Sequence, residues 1–271
     1  MRTHPHAHRA FRGKSGVVAM ALAALAPGIA AATEGGGTSK ALGVDTVLSG
    51  VMPPPGMQLT TFLAYYEANE TLDGNGDPRP GISNFNVRAE AATLRFRYVW
   101  PDAKVWGADI ETRIGFTAYT HANVQFDVKT PGGQVHRQGS TRGTGDALLG
   151  PALLGWHSDR VHQIVGLEFW IPSGTFNPVQ LANAGRGYWT TGPAYWITWF
   201  PVDEVEADFT IVYLYNFKNP DTNYRSGNEI SIDYGLAYSV TPIWQAGISG
   251  YAYKQVADDQ LNGVDVPGRV A

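Results

Sequence analysis

The sequence predicts an all-β protein, a transmembrane antiparallel up-and-down β-barrel. Three observations predict it. Aromatic-rich strand patterns recur about nine times, joined by connections that alternate short and long, the plan of barrels with tight periplasmic turns and longer external loops. Within the clearer stretches, apolar and polar residues alternate with period two, as a wall with one lipid face and one lumen face requires. Most stretches also reach the roughly 9–11 residues that a tilted spanning strand needs, where strands of soluble domains average about 5–6.

Composition agrees. Aromatic residues make up 12% of the 271-residue chain, with 13 Tyr and 8 Trp, enough to supply girdles at two membrane–water interfaces. The chain has no Cys, which excludes disulfide scaffolding, zinc–thiolate sites and cysteine nucleophiles. Its formal net charge of −4 disfavours nucleic acid as a partner.

The elements follow in order. Arg2, Arg9, Arg12 and Lys14 precede an apolar run from Gly16 to Ala26 and the small residues Ala30, Ala31 and Ala32. This is a secretory signal peptide over 1–32, with cleavage expected near Ala32. His4, His6 and His8 fall inside it as polar n-region residues. Residues 33–56, with Gly35–Gly37 and Pro53–Pro55, read as a flexible periplasmic lead. Residues 57–271 read as one barrel domain.

Short turns are expected at Trp100–Lys104, Trp156–Arg160, Phe200–Glu204 and Ser239–Pro242. Long loops are expected at Glu67–Asn86, Thr120–Gly143, Pro172–Gly187 and Phe217–Asn228. A ninth strand would end outside, whereas bacterial barrels carry an even number. The final Gly268–Ala271 also lacks an aromatic residue. The sequence therefore reads as about nine strands of a barrel that is short of its last strands, because a bilayer does not tolerate open sheet edges.

Alternation assigns faces. Phe209, Ile211, Tyr213, Tyr215 and Phe217 oppose Asp208 and Thr210; Ile230, Ile232, Tyr234 and Leu236 oppose Ser231 and Asp233. Inward parity collects the charged candidates Arg95, Arg97, Asp109, Glu111, Arg113, Asp146, Glu168, Asp208 and Asp233. Such charges either set selectivity or pair into a network that fills the wall. Trp100, Trp106, Trp156, Trp199, Phe200 and Trp244 sit beside the short turns and read as a periplasmic girdle against outer-membrane lipid.

Other chemistry is thin. Asp73 to Asp77 resembles half a calcium loop, but Pro78 follows and no distal Glu stands at the right spacing, so a turn is expected. There is no Gly-x-Ser-x-Gly elbow and no phosphate-binding glycine motif. No catalytic residue, metal or cofactor is expected.

The segment Thr144–Pro151 (TGDALLGP), with Pro53–Gly56, Glu168–Gly174, Thr191–Ala194 and Glu229–Tyr234, resembles outer-membrane proteins of the meta-cleavage pathway of phenol degradation, the Phenol_MetA_deg group. The resemblance spans about Val51 to Ala271. It implies a barrel of about a dozen strands and uptake of small hydrophobic or aromatic compounds. Two rival functions stay open: a structural or adhesive barrel binding a surface partner through its loops, and a lipid-modifying barrel enzyme.

Overall fold

The computed structural model describes residues 37–71 and 77–265. The signal-peptide reading, most of the Asp73–Asp77 turn and the last six residues lie outside these. The strands are β1 (Gly56–Ala68), β2 (Ile82–Val105), β3 (Ala108–Thr130), β4 (Gly133–Gly143), β5 (Ala147–His157) and β6 (Val161–Ile171). There follow β7 (Thr190–Trp199), β8 (Val205–Asn216), β9 (Tyr224–Arg225), β10 (Glu229–Thr241), β11 (Trp244–Gln255), β12 (Gln260–Leu261) and β13 (Val264–Asp265).

All pairings are antiparallel. The main sheet runs β1-β2-β3-β5-β6-β7-β8-β10-β11 and curls as a barrel wall does. A small sheet, β13-β12-β9, lies at the long-loop end. The nine strands expected from periodicity are the nine of the main path.

Two connections differ from expectation. β2 continues past Trp100 to Val105 and turns at Trp106 and Gly107, both with positive φ (50° and 78°). That is the conformation of the primed two-residue turn, whose twist matches the flanking strands. The register slips between Val99 and Lys104, which hid the strand's continuation. The stretch Thr120–Gly143 is not a loop. β3 and β4 pair without a break from Thr120–Gly143 to Thr130–Gly133. Together with the upper half of β2, which β1 flanks as far as Val87, they form a blade beyond the other strands.

A bulge at Ala118 explains the misreading. Ala92 pairs with Tyr119, yet Thr93 pairs with Thr117. The extra residue reverses the parity of β3. Below it Ile114 and Phe116 face outward beside Phe96 and Leu94; above it Tyr119, His121, Asn123 and Gln125 do. The blade's inner face carries Val87, Val124 and the stacked Phe85–Phe126 pair, and Leu181 of the β6–β7 connection packs at Gly139.

The outward face of the spanning region is apolar, as the alternation predicts. Leu59, Leu63, Phe96, Ile114, Val165, Leu167 and Phe209 are all exposed. Trp100, Trp106, Trp199 and Trp244 are exposed at the short-turn end, and Trp156 donates to the Trp106 carbonyl. Phe200 is half-buried against the edge of His162.

The lead is the main correction. Residues 38–53 are not a loose periplasmic tail but run along the concave face of the sheet. Their polar groups bond to inward side chains from Thr190 at the long-loop end to Thr198 near the short turns. Met52 ends the run in an apolar cluster with Val99, Leu153, Ile164, Trp170, Ala194, Trp196, Val212 and Leu214. At Gly50 a Cβ would overlap the His162 carbonyl and lie 2.6 Å from the Thr198 nitrogen, so glycine is what permits this approach. The physical reason is satisfaction: inward acids that find no cation on the sheet find donors on the segment.

Candidate functional site

The site is the concave face and the segment against it. On β2 and β3, Arg97 forks onto Glu111 with contacts of 3.0 and 2.6 Å, and Arg113 Nε reaches Glu111 Oε1 at 2.9 Å. Arg113 also bonds Glu168 of β6 at 3.1 Å and lies 4.7 Å from the centre of the Trp196 ring. Glu111, Arg113 and Glu168 are buried. Burial of this kind is tolerable only because every charge is paired.

The second half of the network runs through the segment. Asp45 Oδ1 accepts from Arg95 at 2.9 Å, and Arg95 lies over the Phe62 ring. Lys40 meets Asp233 at 2.6 Å and Asp45 at 3.8 Å. Asp233 also accepts from the Gly43 and Asp45 backbone N–H groups. Asp208 accepts from the Ser49 N–H at 2.7 Å and the Thr198 hydroxyl at 2.6 Å. Glu206 accepts from the Leu48 N–H and Gln245. Arg97 donates to the Val51 carbonyl at 3.1 Å. Burial opposes ionisation of Asp45, but Arg95, Lys40 and Arg113 together outweigh it and hold the carboxyl well below the ordinary carboxylate range.

Of the residues named from sequence, Arg95, Arg97, Glu111, Arg113, Glu168, Asp208 and Asp233 share this face. Two do not join it. Asp109 has the right parity but sits at the short-turn rim, where it pairs with the exposed Lys104 at 2.6 Å. Asp146 lies in the break between β4 and β5 and clamps the β6–β7 connection by accepting from the Gly174 and Arg186 N–H groups. Burial pushes its carboxyl above the usual range against the pull of those two donors. Lys40, Asp45 and Glu206 were missed. Asp208 and Asp233, inward acids with no basic residue on the adjacent inward positions of their own strands, were the available signal.

The family model described as "Putative MetA-pathway of phenol degradation" matches residues 68–270. The chain belongs to this family. Among solved structures, the COG4313 outer membrane channel from Pseudomonas putida F1 is similar to this phenol-degradation family member with a TM-score of 0.56 and 15% identity, over 79% of this chain and 78% of that one. The likeness is one of fold, that of an outer-membrane β-barrel. No curated protein matches the chain.

Proposed function

We propose that this protein is an outer-membrane channel that admits small hydrophobic or aromatic compounds by passive diffusion. The observation that carries the reading is the inner segment. A lipid-facing wall curls around a charged inner face, and one stretch of chain crosses that face, bonded at both ends and along its length. A channel uses a lumen organised this way to narrow the path and fix its charge. Phe62, stacked against Arg95, gives that face an aromatic surface as well. Family membership and the fold of the channel above support the same reading. A lipid-modifying enzyme gains no support, because the inward carboxylates of the network are already held by guanidinium, ammonium or backbone donors. The adhesive alternative rests on the projecting blade.

The test is liposome swelling and planar-bilayer conductance of the full-length protein with phenol-like and sugar solutes. Uptake of the aromatic solute in preference to sugars of similar size is the expected result. No current and no uptake would sink the channel reading and favour the adhesive one.

A further inference from the structure

The blade's outward face continues the lipid-facing surface upward. Parity on β2 is unbroken from Tyr98 through Phe96, Leu94 and Ala92 to Glu90, Arg88 and Asn86. Chemistry changes abruptly along that line. Up to Ala92 and Tyr119 most outward positions are apolar or aromatic; above them β2, β3 and β4 present polar side chains, with Tyr65 of β1 beside Glu90. Glu67, Arg88, Asn123 and Ser140 form one row, with Arg88 ion-paired to Glu67 at 2.8 Å, and Asn86, Gln125 and Gln138 the next. Between them lies a shallow hollow of about 410 Å³ lined by Asn86, Asn123, Gln125, Gln138 and Ser140, with Val124 and Gly139.

We infer that this face docks the sugar headgroup of an outer-leaflet glycolipid. The inference rests on the outer-membrane placement proposed above and not on the channel reading. Position selects the occupant. A surface that rises straight from the lipid band, pointing away from the lumen, meets headgroups of neighbouring lipids and not permeating solute. Composition agrees. The hollow itself is lined by five amide or hydroxyl side chains and no charge, with the Arg88–Glu67 ion pair beside it and Glu90, Arg142, Asp127 and Lys129 on the rows to either side. Amides present a donor and an acceptor side by side, which suits vicinal sugar hydroxyls. On the opposite, inner face of the same strands Leu181 packs at Gly139.

The test uses full-length protein extracted from outer membranes and delipidated in detergent. Its heat-modifiable unfolding midpoint is measured with lipid A bearing a phosphorylated core oligosaccharide, with lipid A lacking core sugars, and with phosphatidylethanolamine. The core-bearing glycolipid should raise the midpoint by about 5 °C more than either other lipid, since a ligand bound only to the folded state stabilises it. The triple variant Asn86→Ala, Asn123→Ala, Gln138→Ala should lose that difference while keeping its midpoint in detergent alone. If the triple variant does not fold, single Gln138→Ala and Ser140→Ala variants are compared by native mass spectrometry for retained glycolipid, and each should retain less. Equal shifts with and without core sugars, or undiminished retention by the variants, would overturn the inference. Fractionation with outer membranes in that event would leave the placement standing.

Discussion

The lumen network has two halves that differ in how they close. Arg97, Glu111, Arg113 and Glu168 pair from strand to strand, so their contacts belong to the wall. Arg95 and Asp233 pair only through Asp45 and Lys40 of the inner segment. The first half would survive departure of the segment; the second would be left as an exposed Arg and a stranded acid. The contrast teaches that similar charges on one face do different jobs. The wall pairs hold the barrel, and the segment pairs hold the segment.

Breaking a wall pair should have the largest effect. Replacing Arg113 by Met strands Glu168, buried and without another cation, and should cost about 3–5 kcal/mol of barrel stability. Urea unfolding in detergent, followed by heat-modifiable gel mobility, reads this. A cost below about 1 kcal/mol would show that the pairing does not hold the wall.

A lipid-face substitution calibrates the scale. Tyr213→Arg should cost about 2–4 kcal/mol if Tyr213 lies near the midplane, and less nearer the interface. Val212, one residue away, is fully buried in the inner apolar cluster. An Arg there should also destabilise, by desolvation inside the protein and not in lipid. The two can be told apart by moving the protein from a bilayer to short-chain detergent, which should relieve only the Tyr213 variant.

Breaking a segment pair should change transport more than folding. Asp45→Asn removes the shared partner of Arg95 and Lys40, while Lys40 keeps Asp233. Single-channel conductance should rise, with an unfolding shift within about 1–2 kcal/mol. Unchanged conductance would mean that the segment does not limit the path. Acid gives a second handle. A carboxyl with a depressed folded pKa stabilises above its unfolded value and loses that contribution as pH falls through the folded one. Because Asp45 is held well below the ordinary range, the difference in conductance between the wild type and Asp45→Asn should stay constant as pH falls from about 7 to about 4. A narrowing of that difference within the window would place its titration higher.

The smallest effect belongs to the rim. Lys104 and Asp109 are both solvent-exposed, and Lys104→Gln should shift stability by less than about 1 kcal/mol. A larger loss, measured by the same unfolding assay, would join the rim to the network.

Strands and faces were legible because period-two alternation is a direct physical consequence of a two-sided wall. Arg97, Glu111 and Arg113 could be placed together from parity alone. What failed did so for identifiable reasons. One added residue at Ala118 inverts a pattern, and an all-polar outward face above it looks like a loop when strand partners are unknown. Asp109 had correct parity, but parity carries no height along the strand. The Gly- and Pro-rich lead reads as flexible because the order of residues 38–53 comes from partners far away in the chain.

That distance has a consequence for assembly. Lys40 and Asp233 are separated by 193 residues, and Asp45 and Trp196 by 151. Closing so large a loop has little enthalpic return until the intervening hairpins exist, each of which forms from near neighbours. The segment should therefore settle last, onto a wall already built. Refolding followed by Trp196 emission should then lag behind the gain of sheet signal in circular dichroism. Coincident phases would mean instead that the wall folds around a segment already in place.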